Sequence, residues 1–385
     1  MARSSKFVIL VVFFATTEFL TIFYYEHDRL YSFDKINSNQ TQLAGGNTTQ
    51  TLERIEKEIH EEEDAIYGSR PSAPTATKET LPGPPDDAAL KKVEDRFRSR
   101  KEHLEKACDK FRPVHSSPVH HRKTDQFLIN RHYGLIWCNI FKAASSSWLW
   151  NFNLLAGYTE KQLIEKSDQP LTLARKKYPR PAPTTVDATR RGEPPPLTFI
   201  IVRHPFARLV SAFRDKILKG SSFYRPLAKA MMMKHRELYE QHPDDWHDFL
   251  KVKSLDMPTF AQFVQYIIDE RKHRRPLNEH WVPMNDYCTP CPNHFDIIAK
   301  VETLDEDGNY IIYKSGVQDI VRPRVLNKAE GRSSDKLTEY FICQLTEPQL
   351  MKLIEVYKYD LEIFDYDVQK YLDCVRTGKP SRKPR

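Results

Sequence analysis

The spacing of apolar residues changes along the chain, and this spacing predicts secondary structure. Short apolar runs typical of buried strands occupy residues 133–141, 197–202 and 294–301. A helical pattern follows each of the first two runs, and the second helix has an apolar face made of Phe206, Leu209, Val210, Phe213 and Ile217. Strands that alternate with helices predict an α/β fold with a parallel sheet flanked by helices.

Helical spacing also predicts helices at 88–111, 260–271 and 347–357. Upstream, residues 70–87 are rich in proline and too poor in apolar residues to form a core. Because the composition shifts near Cys108, we expect a stem over 26–105, a catalytic domain over 106–374 and a basic tail over 375–385.

The most apolar stretch, residues 7–25, is about one bilayer span at ~1.5 Å per residue. Arg3 and Lys6 precede it, which predicts a cytosolic tail over 1–6 and a luminal remainder, as in a type II signal anchor. A cleaved signal peptide is the alternative, but the run lacks a small-residue cleavage site. Sequons at Asn39 and Asn47 fit a glycosylated luminal stem.

A formal charge of +7 favours acidic partners, and a luminal domain excludes nucleic acid. The six cysteines are too few for a cysteine-stapled scaffold, although in a lumen some should pair. The sequence leaves their connectivity open.

The first predicted strand leads into the stretch FKAASSSW, residues 141–148. Backbone N–H groups at a helix start attract anions, and Lys142 adds a full charge. Ala143 and Ala144 let an anion approach the backbone, while Ser145 or Ser146 can cap the helix or bind an oxyanion. The alternative is a serine-capped helix with a surface lysine.

The second predicted strand ends at Arg203, and Pro205 suits the first turn of the helix that follows. Two turns of ~3.6 residues place Ser211 on the same side as His204 and Arg208. An arginine and a serine on one polar face can grip a terminal phosphate. The alternative is an ordinary helix whose cap arginine pairs with a carboxylate.

Together, the two strand ends predict a crevice for a ligand that carries two phosphate clusters. The chain contains no G-x-x-x-x-G-K-[ST] string, and no G-x-G-x-x-G follows a strand. An ordinary ATP-hydrolysing P-loop is therefore disfavoured.

The turn K-x-x-S-S-S-W, the segment I-V-R-H-P-F-x-R-L-V-S-A-F-R-D-K, and the strings H-W-x-P-M-N-D-Y-C-x-P-C and D-I-I-A-K-V-E-T-L resemble the Golgi carbohydrate sulfotransferases. The nearest subgroup contains the chondroitin 4-O-sulfotransferases and the HNK-1 sulfotransferase. The resemblance runs from about Cys108 to Tyr366. It implies a P-loop-like fold and transfer of the sulfuryl group of 3′-phosphoadenylyl sulfate (PAPS) to a glycan. We expect the 4-OH of N-acetylgalactosamine in chondroitin or dermatan as acceptor, with the 3-OH of glucuronic acid as alternative.

The resemblance also implies which residues bind the donor. The 5′-phosphosulfate is assigned to Lys142, Ala143, Ala144, Ser145, Ser146, Ser147 and Trp148. The 3′-phosphate is assigned to Arg203, His204, Pro205, Phe206, Ala207, Arg208, Leu209, Val210 and Ser211. The family usually has proline before the lysine and often asparagine before the tryptophan, where this chain has Phe141 and Ser147. That departure puts the side-chain contact at position 147 in question.

Sulfuryl transfer needs charge stabilisation on the leaving phosphate oxygen, which we assign to Lys142 with help from Ser146. The attacking hydroxyl needs a base, and the candidates are His280, His204 and Glu302. We select His280 because its motif lies outside the donor cradle. Alternatively, His280 packs with Trp281 as a structural pair.

Cys288 and Cys291 could form half of a zinc site, but the nearby His280 and His294 lack a familiar spacing. Disulfides are favoured, and no metal is predicted. Basic clusters are candidate sites for an anionic glycosaminoglycan or glycoprotein glycan: 175–177, 190–191 and 271–275. Besides the Golgi membrane, no other partner is predicted, and the oligomeric state stays open. The alternatives are a nucleotide-dependent kinase and a non-catalytic, membrane-tethered polyanion-binding protein.

Overall fold

The computed structural model describes residues 86–115, 122–166, 169–219, 221–238, 257–322 and 334–377. The predicted tail 1–6, the anchor 7–25 and the sequon residues Asn39 and Asn47 lie outside these ranges, as do residues 378–385. Within the described ranges, no helix is both long and apolar enough to cross a membrane.

The described residues contain one sheet of four strands, in the order β1 (Phe127–Asn130), β2 (Leu135–Cys138), β3 (Leu197–Val202) and β4 (Ile297–Lys300). Strands β2, β3 and β4 are parallel, whereas β1 pairs antiparallel with β2. The predicted parallel sheet and its three strands are confirmed, although the first and third strands are shorter than predicted. The antiparallel edge strand was not predicted, because its four residues, FLIN, are too few to show a period.

Helices occupy most of the remaining described chain. They are α1 (Asp87–His115), α2 (Ser145–Leu155), α3 (Glu160–Glu165), α4 (Pro170–Lys177), α5 (Pro183–Arg190), α6 (Pro205–Ala212), α7 (Arg225–Lys234), α8 (Phe260–Lys272), α9 (Met284–Cys288), α10 (Pro290–Asn293), α11 (Leu304–Lys314), α12 (Ser334–Ile342), α13 (Glu347–Ile363) and α14 (Gln369–Thr377). A π-helix, Phe213–Leu218, continues α6, and short 3-10 turns cover Arg236–Leu238 and Val301–Thr303.

Alternate strand residues enter two separate apolar cores, so both faces of the sheet are covered. On one face, Trp137 and Phe199 pack with residues of α2 and α11. On the other, Ile136 and Ile200 pack with α9 and the end of α13. A third core lies among α6, the π-helix, α8 and α13. The result is the layered arrangement that a parallel sheet with two apolar faces requires.

Helix α1 belongs to the folded unit. Val93 and Phe97 enter the first core and Leu104 the second, which confirms the helix predicted at 88–111. The predicted boundary between stem and catalytic domain, at residues 105 and 106, falls inside this helix. Because Val93 and Phe97 are buried against the sheet core, the compact unit includes this helix.

Asp307 fastens α1 to the sheet edge. This fully buried carboxylate accepts hydrogen bonds from Arg96 Nη2 at 2.5 Å and Arg100 Nη1 at 2.6 Å, both on α1. It also accepts from the backbone N–H of Lys300 at 3.0 Å and from Thr303 Oγ1 at 2.7 Å. One side chain therefore joins α1, β4 and α11.

Three disulfides pair all six cysteines: Cys108–Cys291, Cys138–Cys288 and Cys343–Cys374. Cys288 and Cys291 pair with different partners, so neither is a zinc ligand. The bond Cys108–Cys291 connects α1 to α10, and the bond Cys138–Cys288 connects the end of β2 to α9. This connectivity was the part that the sequence left open.

Replacing Asp307 by asparagine should lower the free energy of unfolding by about 3–5 kcal/mol, because Arg96 and Arg100 lose a buried counter-charge. Denaturant unfolding followed by circular dichroism measures the change. Glu306→Gln is the matched control, since Glu306 pairs with Arg96 from a half-exposed position and should cost less than about 1 kcal/mol. Equal losses in the two variants would contradict this account.

Candidate active site

The loop from β2 to α2 has an unusual backbone. Lys142 and Ala144 adopt positive φ values, 66° and 59°. Ala144 is the N-cap of α2, so no side chain caps the helix, and the predicted cap by Ser145 or Ser146 is not formed. The hydroxyls of Ser145 and Ser146 bond to no other described residue. An uncapped helix start with unused hydroxyls can bind an anion.

Trp148 is one of the buried residues of α2. Its ring is 4.8 Å from that of Phe199, and its side chain is 4% exposed. Ser147 is also buried. The structure therefore places the Trp148 side chain in the sheet core, where it packs α2 against the sheet.

The loop from β3 to α6 lies beside the first loop. Arg203 Nη1 donates to the carbonyl of Lys142 at 3.1 Å, and Nη2 donates to Ser334 Oγ at 2.5 Å. Arg203 makes no ion pair with any described carboxylate, and burial lowers its pKa. The hydroxyl of Ser211, two turns along α6, is half-buried and bonds to no other described residue. A cation that makes no direct ion pair and an unused hydroxyl suit an anionic ligand.

His204 and Glu302 hold the second loop in place. His204 Nδ1 accepts from the backbone N–H of Phe206 at 3.1 Å, and its Nε2 bonds to the carbonyl of Asp367 at 3.0 Å. Glu302 accepts from the backbone N–H of His204 at 2.8 Å and from Tyr366 Oη at 3.0 Å. Both ring nitrogens of His204 are occupied, so it has no position open for a substrate proton, whereas each oxygen of Glu302 keeps a further acceptor site.

Arg208 lies in the interior and not on the polar face of α6 where we expected it. Its guanidinium donates to three carbonyls: Phe141 O at 2.8 Å, Val282 O at 2.6 Å and Glu279 O at 3.0 Å. The residue is 1% exposed. Its neighbours Phe206, Leu209 and Val210 face the core as predicted, and Ala207 and Pro205 are buried too. Arg208 therefore joins the first loop to the segment that carries His280.

His280 lies in this connected segment and contacts the first loop. Its ring lies 4.7 Å from that of Phe141, and its Nδ1 contacts Asn278 Oδ1 at 2.8 Å and Tyr224 Oη at 3.3 Å. Because Asn278 Oδ1 accepts, Nδ1 carries the ring proton and Nε2 keeps its lone pair. Burial and the charges of Lys216, Lys142 and Arg208 lower the pKa of His280 to about 3. A neutral imidazole thus stands beside Lys142.

Two neighbours of this site were missed from the sequence. Asp215 Oδ2 accepts a hydrogen bond from Lys142 Nζ at 2.8 Å, and Tyr224 contacts His280. Asp215 lies in the motif that carries the family resemblance, one helical turn after Ser211, which is the signal that could have identified it. Tyr224 had no comparable signal, because its contact joins distant parts of the chain.

Four arginines of the basic clusters selected from the sequence contact the fold itself. Arg175 donates to Phe127 O at 2.7 Å, and burial lowers its pKa to about 10. Arg190 bonds to the carbonyl of His294, Arg271 pairs with Asp286, and Arg275 pairs with Glu270. The positive charges that act on His280 and its neighbour Glu279 come from Lys216, Lys142, Arg208 and Arg180.

A family model described as the sulfotransferase family matches residues 125–367. This range is more than half of the chain and includes both loops, Asp215 and His280. The chain therefore belongs to the sulfotransferase family.

Similar proteins are carbohydrate sulfotransferases. The chain is 28% identical over 251 residues to carbohydrate sulfotransferase 11 of Mus musculus, covering 64% of this chain and 68% of that protein. It is 27% identical over 306 residues to carbohydrate sulfotransferase 14 of Danio rerio, covering 74% and 79%. It is 27% identical over 279 residues to carbohydrate sulfotransferase 8 of Mus musculus, covering 69% and 63%. No solved structure matches it significantly.

The resemblance to carbohydrate sulfotransferases is thus confirmed, and the chain is a sulfotransferase enzyme of the kind that sulfates glycans. Among the described residues, no group of three or more histidine, cysteine, aspartate or glutamate side chains could hold a metal ion.

Arg208→Lys should lower the free energy of unfolding by about 2–4 kcal/mol, because an ammonium cannot reach three carbonyls and leaves buried acceptors unpaired. Denaturant unfolding measures the loss. Arg98→Lys, at an exposed pair with Asp95, is the control and should change stability by less than about 0.5 kcal/mol. A loss below about 1 kcal/mol in the Arg208 variant would show that the three hydrogen bonds do not hold the segments together.

Proposed function

We propose that the chain transfers the sulfuryl group of PAPS to the 4-OH of N-acetylgalactosamine in chondroitin or dermatan, and releases adenosine 3′,5′-bisphosphate. The observation that carries the donor assignment is the contact between the two loops, Arg203 Nη1 to Lys142 O at 3.1 Å. It brings two cationic anion-binding loops side by side at the carboxyl ends of neighbouring parallel strands. A ligand that is anionic at both ends fits this arrangement better than one with a single anionic group.

The residues of each loop fit one end of the donor. The uncapped start of α2, with Lys142 and the hydroxyls of Ser145 and Ser146, suits the 5′-phosphosulfate. Arg203 and Ser211 suit the 3′-phosphate, since Arg203 lacks a carboxylate partner among the described residues. Backbone N–H groups and small side chains do the work of a glycine-rich loop here, in what we regard as a P-loop-like fold.

PAPS supplies an activated sulfuryl group whose leaving group is a phosphate oxygen. The ammonium of Lys142 stabilises the negative charge that develops on that oxygen, and Ser146 donates a further hydrogen bond. Nε2 of His280 accepts the proton of the attacking sugar hydroxyl, because Nδ1 is turned to Asn278. Arg208 holds these two groups at a constant separation through its three carbonyl contacts.

We propose a single-pass type II protein of the Golgi membrane, with the cytosolic tail, anchor, glycosylated stem and luminal catalytic domain inferred from the sequence. The pairing of all six cysteines supports a luminal location, since such bonds persist in oxidising compartments. The proposal also names a specific acceptor, the 4-OH of N-acetylgalactosamine. Its support is the family resemblance and the charges of Arg180 and Lys216 near His280, which suit an anionic glycan.

Adenosine 3′,5′-bisphosphate should bind the detergent-solubilised full chain, and Arg203→Ala should weaken that binding about 100-fold or more, because a charge-assisted contact to phosphate is lost. Isothermal titration calorimetry measures both affinities. Lys142→Ala should also weaken this binding, because the product keeps the 5′-phosphate oxygen that Lys142 stabilises as the leaving group. The absence of saturable binding, or unchanged binding in Arg203→Ala, would refute the donor assignment.

Transfer of radiolabelled sulfate from PAPS should be greatest to desulfated chondroitin or dermatan when these are compared with heparan and glucuronylated N-glycans. His280→Gln is the control for label that does not pass through the site and should transfer about 10²–10⁴ times more slowly. Labelling of the glucuronylated glycan alone would favour the 3-OH of glucuronic acid. Labelling of heparan alone would refute the acceptor assignment.

A further inference from the structure

Asp215 lies at a meeting point of three lysines. Its Oδ2 is 2.8 Å from Lys142 Nζ and 3.3 Å from Lys216 Nζ, and its Oδ1 is 3.2 Å from Lys219 Nζ. Among the described residues, no other carboxylate lies within ion-pair distance of Lys142. The Lys142 side chain is 18% exposed, so this contact is only weakly screened by water.

The π-helix accounts for the position of Asp215. It begins at Phe213, directly after α6, and Asp215 follows Ser211 by one turn. π-helical segments are rare and occur frequently at functional sites. The same continuous helix therefore carries the hydroxyl assigned to the 3′-phosphate and the carboxylate that contacts Lys142.

Among the residues that the structure describes, the other charged or titratable groups that face Lys142 are basic. Lys216 and Lys219 follow Asp215 on the helix, His280 faces it from the segment before α9, and Arg203 contacts its carbonyl. Burial lowers the pKa of Lys142, and Lys216 and Lys219 lower it further, whereas Asp215 raises it. Burial acts to raise the pKa of Asp215, but the three lysines outweigh it and hold that pKa well below its usual range.

We propose that Asp215 is a positioning residue for sulfuryl transfer, which holds the ammonium of Lys142 in its protonated form and aims it at the anionic end of the donor. An ammonium has three N–H donors, so one bond to Asp215 leaves two for the donor oxygens. A neutral lysine could not balance the charge that develops on the leaving oxygen. This inference rests on the role that the proposed function gives to Lys142.

The test is the pH dependence of sulfate transfer by the full chain and its Asp215→Asn variant. The variant should lower kcat about 10- to 100-fold, because the ammonium is misplaced. The fall of kcat at high pH, which is the basic limb of the pH profile, should begin about one pH unit lower in the variant. The reason is that Lys142 loses the neighbour that raises its pKa. Binding of adenosine 3′,5′-bisphosphate should stay saturable in this variant, because Arg203 and Ser211 still hold the 3′-phosphate.

Three further variants make the result specific. Asp215→Glu should restore most of the basic limb, since it restores the charge. Lys142→Arg should remove the limb from the accessible range, because a guanidinium stays protonated, and this assigns the limb to Lys142. Asp95→Asn removes one carboxylate from a surface pair on α1 and should leave the rate and profile unchanged.

A lower kcat in Asp215→Asn with an unmoved basic limb would overturn the inference, because Asp215 would then act only on folding or packing. A higher kcat would also overturn it, since Asp215 would then compete with the donor for Lys142. A wild-type chain that neither transfers sulfate nor binds adenosine 3′,5′-bisphosphate would refute the proposed function itself, and the inference with it.

Discussion

The guanidinium of Arg208 is the interaction on which the site depends. It is buried, and its three hydrogen bonds go to the carbonyl of Phe141 in the first loop and to those of Glu279 and Val282 on either side of His280. The disulfide Cys138–Cys288 joins the same two segments covalently, from the last residue of β2 to the last of α9. Without these links the loop with Lys142 and the segment with His280 would have no fixed separation.

The site is built from cations that largely lack counter-charges of their own. Arg203 contacts a carbonyl and a hydroxyl, and Arg208 contacts carbonyls only. Burial, together with the positive charges of Lys216, Lys142 and Arg208, also keeps His280 neutral by lowering its pKa. Because burying unbalanced charge is costly, this arrangement suits a protein whose ligand supplies the negative charge. Asp215 is the local exception, and it contacts the lysine assigned to the breaking bond.

Much of the fold followed from sequence patterns, because those patterns reflect local rules. The strand at 197–202 was recognisable because a buried parallel strand is a continuous apolar run. The helix after it was recognisable because the apolar residues of an amphipathic helix repeat every 3.6 residues. Strand β1 was not predicted, because four residues are too few to show a periodic pattern of apolar positions. The predicted stem boundary falls inside α1, whose exterior is largely charged and whose contact with the sheet edge involves Asp307, a residue about 200 positions away.

The candidate site divides in the same way. The sequence by itself determined the two strand ends, their charged and hydroxyl residues and the family, because these are short contiguous motifs. The tertiary structure decided that Arg208 faces the interior, that Trp148 belongs to the core, that the cysteines pair across the chain, and that Asp215 contacts Lys142. Each of these depends on contacts between residues far apart in sequence, and such contacts leave no periodic trace in one chain. Motifs therefore indicate which groups are present, whereas packing decides which of them a ligand can reach.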